Sequence, residues 1–160
     1  MTRWILIVAA ACVVTAGCGD DATGPSNPPL VFSALLSPVN EVPPVANAES
    51  GGRGAVQVQF DGTNATFYFQ LSGFPAGTPI TGAHIHPAAA GVNGPVILST
   101  GLTAATARPM PNGSTEFTVT VPVDRALVDS IVANPAGFYF NVHSTLNPGG
   151  FARGQLTRVQ

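Results

Sequence analysis

The chain has 160 residues, of which 45% are hydrophobic and only 9% are charged, so it holds enough apolar material for one domain with a sizeable core. Six basic residues, all of them arginine, stand against eight acidic ones, and the net charge is −2 at pH 7. Nucleic acid is therefore not an expected partner, because binding it requires clustered lysine or arginine to neutralise the phosphates.

The N-terminus has the build of a secretory signal peptide. Arg3 supplies a positive end, and an apolar run from residue 4 to residue 14 follows it. This run is too short to span a bilayer, but it has the length of the hydrophobic region of a signal peptide. We therefore predict that residues 1–17 are a signal peptide and that the protein is exported.

Cys18 follows three small residues, an arrangement that resembles the lipobox of bacterial lipoproteins, although leucine is more usual at the position of Thr15. In those proteins the cysteine is acylated after cleavage. The resemblance implies that lipid on Cys18 anchors the protein to a membrane, on its periplasmic or outer-surface face. The alternative is an ordinary signal peptide cleaved nearby, with Cys18 incidental. Residues 18–29 are polar and Pro-rich, which predicts a flexible tether to a domain at residues 30–160.

Within that domain the apolar residues recur with the period of two that is typical of β-strands. The runs at 55–60 and 65–71 alternate clearly, and the Asp-Gly-Thr-Asn segment between them predicts a β-hairpin. Further strands are expected at 83–86, 96–99, 116–121, 138–143 and 152–158, and the Pro-rich segment 107–112 is expected to be a loop.

One short helix is expected after the fifth of these strands. Asp124 is placed to cap it, Leu127, Val128 and Ile131 share a face, and the pair Asn134-Pro135 would end it. Many short strands separated by the 18 glycines and 15 prolines otherwise predict an all-β fold, namely a Greek-key β-sandwich or barrel with this one helix.

The three histidines of the chain are its most informative candidate functional residues. His84 and His86 form an H-x-H in a predicted strand, so both imidazoles lie on one face, about 6.6 Å apart along the strand. Alternation along 138–143 places the apolar residues of that strand on one face and His143 on the other. If the two strands are close, neutral imidazoles in this arrangement are able to bind one borderline metal ion on the outside of the sheet.

An alternative hypothesis gives these histidines a structural role. Each imidazole would then hydrogen-bond carbonyl groups of the loops expected at 91–95 and 147–150. Both cysteines, Cys12 and Cys18, precede the domain, so neither a disulfide nor a thiolate metal site is expected within it.

Glu41 and Arg153 are the other charged residues with a candidate role. They are able to pair with each other or to contact an anionic ligand, and a structural ion pair is the simpler interpretation. No Ser/His/Asp set, cysteine nucleophile or carboxylate pair is evident from the spacing. The sequence therefore favours a binding protein over an enzyme.

Several segments in order resemble the CHRD domain, a family named after its occurrence in chordin. They are Asn-Glu-Val-Pro-Pro-Val at 40–45, the glycine-bearing segment that leads to residue 60, Gly-Ala-His-Ile-His at 82–86, Gly-Val-Asn-Gly-Pro-Val at 91–96, Phe-Tyr-Phe-Asn-Val-His at 138–143 and Gly-Gly-Phe-Ala-Arg-Gly-Gln-Leu at 149–156. The family usually has glutamate and a β-branched residue where this chain has Phe151 and Ala152. The family name itself implies no activity here. The low charge, the lipobox-like cysteine and the absence of an evident catalytic set instead favour a lipid-anchored, non-enzymatic interaction module, whose partner would be an unknown protein or glycan.

A second similarity bears on chemistry. Leu-Ser-Gly-Phe at 71–74 leading to 82–86, and Asn-Val-His at 141–143, are similar to the copper-ligand strands of copper/zinc superoxide dismutase. That enzyme is a Greek-key sandwich with copper outside the sheet, which implies a superoxide dismutase-like or immunoglobulin-like fold here.

The same similarity implies that His84, His86 and His143 are copper ligands. A fourth, bridging histidine, a recognisable zinc site and a disulfide are missing from the chain, so dismutase activity is not implied. Three imidazoles would also suit Zn²⁺ with an open position.

Overall fold

The computed structural model describes residues 28–160 of the chain. The predicted signal peptide at residues 1–17, Cys18 and the tether as far as residue 27 lie outside the described residues. The described part forms ten strands and one α-helix: β1 Leu30–Leu36, β2 Arg53–Phe60, β3 Asn64–Ser72, β4 Thr78–Pro87, β5 Leu98–Ser99, β6 Arg108–Met110, β7 Thr115–Pro122, α1 Arg125–Ala133, β8 Phe138–Ser144, β9 Ala152–Gln155 and β10 Thr157–Arg158.

Two antiparallel sheets face each other across one core. The first sheet has the order β10-β1-β2-β3-β7, and the second has the order β5-β4-β8-β9, with β6 pairing the N-terminal part of β4. The predicted all-β sandwich with one short helix is thereby confirmed, and the Greek-key refinement of it stays a prediction.

The first sheet follows from the alternation of its sequence. Phe32, Val58 and Phe67 are neighbours across three strands and are fully buried. The next residues along β2 and β3, Gln57 and Tyr68, pair with each other and lie on the outer face. The predicted hairpin is present as β2 and β3. The Asp61 carboxylate caps its turn by accepting hydrogen bonds from the backbone N–H groups of residues 63 and 64.

The core between the sheets is rich in phenylalanine. The ring of Phe140, from the second sheet, lies 5.4 Å from that of Phe67 and 5.5 Å from that of Phe69, both from the first sheet. Phe117 stacks on Phe69 with a centroid separation of 4.4 Å. The two contacts of Phe140 cross the core and hold the sheets together, whereas the Phe117 contact lies within the first sheet.

The predicted helix is also confirmed. The Asp124 carboxylate accepts a hydrogen bond from the backbone N–H of Ala126, 2.9 Å away, and the helix ends before Asn134. Val128 and Ile131 are buried against the core, and Leu127 packs beside them. No helix among residues 28–160 is long and apolar enough to cross a membrane.

Three segment predictions were wrong in part. The strand expected at 152–158 is two strands in different sheets, because the N–H of Leu156 still bonds to β8 while that of Val159 bonds to β1. The strand expected at 96–99 is reduced to Leu98–Ser99. The expected loop at 107–112 contains the edge strand Arg108–Met110, a position that tolerates proline.

Candidate metal-binding site

Three histidine side chains project from the two central strands of the second sheet, on the face turned away from the core. His84 and His86 lie on β4, where they alternate with the fully buried Ala83 and Ile85. His143 lies near the end of β8. The structure therefore brings all three sequence-predicted ligands to one place.

The ring nitrogens of these residues converge. One nitrogen from each histidine lies within 4.8 Å of the other two. Nδ1 of His84 donates a hydrogen bond to Nε2 of His143 at 2.9 Å, because the His143 proton is held on Nδ1 by a loop carbonyl. The ring of His86 is farther off, with its centroid 5.9 Å from that of His84 and 6.5 Å from that of His143.

Two loop carbonyls fix the orientation of two of the rings. Nδ1 of His86 donates a hydrogen bond to the carbonyl oxygen of Gly94 at 2.9 Å, and Nδ1 of His143 donates one to that of Pro148 at 3.0 Å. Because a carbonyl oxygen only accepts, both rings carry their proton on Nδ1 and a lone pair on Nε2. The carbonyl contacts of the structural hypothesis are thus present for His86 and His143 but not for His84, and they are also the contacts that orient metal-ligating histidines.

His86 has one nitrogen without a partner. Its side chain is only 7% exposed, and its Nε2 makes no hydrogen bond within residues 28–160. The ring stacks in parallel on Tyr139, with an interplanar angle of 1° and a centroid separation of 4.7 Å. A buried lone pair that nothing satisfies is costly, and a bound cation would remove that cost.

All three imidazoles are electrically neutral at physiological pH. Burial lowers the pKa of His84 from 6.5 to about 4, with a further contribution from the charges of His143 and His86. Burial likewise lowers the pKa of His86 and of His143 below 6.5. Neutral imidazole is the form that coordinates metal, so no net deprotonation of the set is needed, although the proton on Nδ1 of His84 would have to move to Nε2 before Nδ1 could bind.

Glu41 and Arg153 form a buried ion pair beside this site. Nε of Arg153 lies 2.7 Å from Oε2 of Glu41, and both side chains are about 4% exposed. Asn141 donates to the same carboxylate at 3.0 Å. Burial raises the pKa of Glu41 above 4.5, while the Arg153 hydrogen bond and charge and the Asn141 hydrogen bond oppose this effect.

Arg153 of this ion pair also contacts the loop at residues 91–95, which holds His86. The Arg153 guanidinium donates to the side-chain oxygen of Asn93 at 2.7 Å and lies 4.6 Å from the centre of the Tyr139 ring. The Tyr139 hydroxyl in turn accepts a hydrogen bond from the backbone N–H of Gly94. Arg153 therefore fixes the loop whose carbonyl orients His86, and its donors are used within the protein.

Sequence reasoning missed a second buried carboxylate, that of Glu49. This side chain is 2% exposed and accepts hydrogen bonds from the Ser144 hydroxyl at 2.7 Å and from the Asn147 side-chain amide. Its partners lie about a hundred residues further along the chain, so no local pattern could have revealed them. The Asn47 side chain accepts from the backbone N–H of Glu49 and bonds to Asn147, but its presence in the sequence does not indicate these distant partners.

The arrangement is able to hold a cation but offers little for covalent chemistry. Three nitrogen donors point at one space, and within residues 28–160 the cluster that meets metal-ligand geometry consists of these histidines alone. The two nearby carboxylates are occupied by hydrogen bonds from protein side chains. Reversible metal binding is therefore the chemistry that the residues support best.

Comparison with known families gives one result. The model of the CHRD domain family matches residues 32–156, a span that contains all three histidines and both buried carboxylates. A search of curated proteins found no match. The similarity to copper/zinc superoxide dismutase stays a prediction.

Proposed function

The chain belongs to the CHRD domain family, and from that premise we propose that it is a non-enzymatic metal-binding module, which holds copper or zinc at His84, His86 and His143. The observation that carries this proposal is the approach of three imidazole nitrogens to within 4.8 Å of one another. The sequence contains three histidines, and all three of them lie together on this one face.

A metal ion would bring the three nitrogens, now within 4.8 Å of one another, to a common spacing. Zinc holds imidazole nitrogens at about 2.0 to 2.1 Å, so two nitrogens on one tetrahedral ion lie about 3.3 Å apart. Nδ1 of His84 and Nε2 of His143, now joined by a hydrogen bond of 2.9 Å, would separate by about 0.4 Å, and the His84 proton would move to the other nitrogen of its ring. Nε2 of His86 would close in as the third donor, which leaves a fourth position open.

Copper is the preferred ion of the two. Imidazole suits both metals, but the intrinsic affinity of a nitrogen site for Cu²⁺ exceeds that for Zn²⁺. Neither metal requires a carboxylate or thiolate ligand, and the site provides none. We therefore expect Cu²⁺ to displace Zn²⁺ when both are supplied at equal concentration.

Calorimetric titration of the untagged full chain in detergent, with Cu²⁺ and then Zn²⁺, tests the proposal. Binding at one ion per chain, tighter than micromolar and lost in the His84→Ala/His86→Ala double variant, would support it. Glu116→Gln is the matched control, because this exposed carboxylate lies on the outer face of the other sheet and its loss should change nothing. Absent binding, or weak binding that survives the histidine substitutions, would refute a metal function.

We further propose that the module is exported and anchored by lipid on Cys18, on the periplasmic or outer-surface side of a membrane. The signal-like N-terminus and the cysteine after small residues support this location. Labelling with a palmitate analogue in a bacterial host should tag the wild-type protein and fail to tag Cys18→Ser. Equal labelling of both proteins would overturn the lipid anchor.

A second candidate function is recognition of a neutral glycan by the outer face of the first sheet. Gln57, Tyr68 and Thr118 form a row across β2, β3 and β7, and they offer amide, aromatic and hydroxyl groups without charge. Such groups suit sugar hydroxyls and ring faces. Screening against a glycan array, with Tyr68→Ala as the variant, separates this candidate from the metal proposal, since the two faces do not overlap.

A further inference from the structure

Behind the histidine cluster lies a buried acidic side chain that the proposed function does not yet use. Glu49 is 2% exposed, and it has no salt-bridge partner in the described part of the chain, where the two ion pairs are Arg125–Asp129 and Arg153–Glu41. Burying a carboxylate without a cation is costly unless its hydrogen bonds are satisfied. The side chains that satisfy Glu49 lead directly to His143.

The connection runs through the loop between β8 and β9, at residues 145–151. The carboxylate of Glu49 accepts from the Ser144 hydroxyl and from the Asn147 amide, and the same Ser144 oxygen accepts from the backbone N–H of Asn147 at 2.9 Å. Asn147 is therefore held through both its side chain and its backbone. The next residue, Pro148, supplies the carbonyl oxygen that accepts from Nδ1 of His143.

We propose that Glu49 is a positioning residue of the metal site, which acts on His143 through Asn147 and Pro148. This inference rests on the proposed metal function. By fixing the 145–151 loop, Glu49 keeps the Pro148 carbonyl against Nδ1 of His143 and so keeps the proton on that nitrogen. Nε2 of His143 then carries the lone pair, which accepts from Nδ1 of His84 in the metal-free protein and is the nitrogen offered to a metal.

The loop at residues 91–95, which contacts His86, provides an internal control. His86 makes the same kind of contact with Gly94, but that loop is held by Arg153 and Tyr139 and not by Glu49. Loss of the Glu49 carboxylate should therefore disturb His143 and leave His86 unchanged. A general loosening of the fold would disturb both rings alike.

A measurement without metal tests the positioning role directly. Nitrogen-15 NMR of the histidine rings, on the metal-free full chain in detergent, reports which nitrogen of each ring carries the proton. In the wild type His86 and His143 should both give the Nδ1–H form. In Glu49→Gln the His143 signal should shift towards a mixture of tautomers while the His86 signal stays in place, and in Glu116→Gln neither should move.

A second measurement adds the metal. Cu²⁺ affinity should fall about tenfold in Glu49→Gln, as is typical when a residue that orients a ligand is lost, and the electron paramagnetic resonance spectrum of bound Cu²⁺ should change. Asn147→Ala removes the amide that donates to Glu49, and it should give the same loss of Cu²⁺ affinity and the same change in the resonance spectrum. It serves in place of Glu49→Gln if that variant does not fold, as judged by circular dichroism.

The outcomes separate this inference from the metal proposal. If the wild type binds no metal, the proposed function fails, and the NMR result still decides whether Glu49 orients His143. If the wild type binds Cu²⁺ but Glu49→Gln keeps the same affinity, the same resonance spectrum and the same His143 tautomer, the positioning role is overturned while the metal site stands.

Discussion

Nδ1 of His84 lies 2.9 Å from Nε2 of His143, although these residues are not directly opposite each other in the sheet. His84 faces Asn141 across the β4–β8 ladder, and His143 faces Gly82. The two imidazoles therefore meet on the diagonal. They do so over Gly82, the one position between them where a side chain is missing.

Gly82→Ala should weaken metal binding. A Cβ atom at this position would lie 3.2 Å from Cε1 of His84 and 3.4 Å from Cδ2 of His143, so at least one ring must move by a few tenths of an ångström. We expect a loss of about tenfold in Cu²⁺ affinity, typical of a disturbed ligand orientation, measured by calorimetry.

Gly51→Ala is the control for this prediction. Its Cβ would have nothing nearer than the backbone oxygen of Gly73 at 4.0 Å, so the substitution should leave both affinity and fold unchanged. An unaltered affinity in Gly82→Ala would mean that the diagonal contact of the two imidazoles is not part of the metal site.

The buried pair Glu41–Arg153 should show strong coupling in a double-mutant cycle. Glu41→Gln or Arg153→Met alone leaves an uncompensated buried charge, and each should lower the free energy of unfolding by about 3 to 5 kcal/mol. The double variant has no such charge and should recover much of that loss. Urea denaturation followed by circular dichroism measures all four proteins, and additive effects of the two substitutions would contradict the coupling.

The sequence was sufficient to predict the orientation of the candidate ligands, because orientation follows from alternation within a single strand. The core positions of β4 and β8 are apolar, so His84, His86 and His143 had to lie on the other face. The register of β4 against β8 could not be predicted from the sequence. Whether His143 approaches the other two depends on that register, which is set by packing across the whole sandwich.

Features that depend on distant partners could not be predicted. Glu49 is buried by contacts with residues 95 and 98 positions further along, and nothing in its own neighbourhood distinguishes it from a solvated glutamate. The break of 152–158 into two strands has a similar origin. Leu156 is apolar in a continuous pattern, and only the positions of β8 and β1 decide that the chain changes sheets after it.

Asp124→Ala should destabilise the domain by about 1 kcal/mol. Its carboxylate accepts the hydrogen bond of the Ala126 N–H at the first turn of α1, and that donor has no partner within the helix. Asp129→Ala is the matched control, because it removes an exposed i,i+4 pair with Arg125 that contributes about 0.3 to 0.5 kcal/mol at most. Equal effects of the two substitutions in thermal unfolding would contradict a capping role for Asp124.

Metal binding should persist at a pH where exposed histidine sites have lost it. Protons compete with metal only once the pH falls towards the pKa that each ligand has in the folded protein. That pKa is below 6.5 for all three histidines and is about 4 for His84. At pH 5.5 an exposed imidazole with a pKa of 6.5 is about nine-tenths protonated, whereas His84 stays almost wholly neutral.

Zn²⁺ titrations from pH 7.5 down to pH 4 measure this dependence, with a short His-x-His peptide as the exposed reference. The apparent affinity of the protein should fall at a lower pH than that of the peptide, because each ligand in the protein has a pKa below that of an exposed imidazole. Parallel curves for protein and peptide would mean that the ligands titrate as exposed imidazoles, and that the burial of the cluster does not protect the bound ion from proton competition.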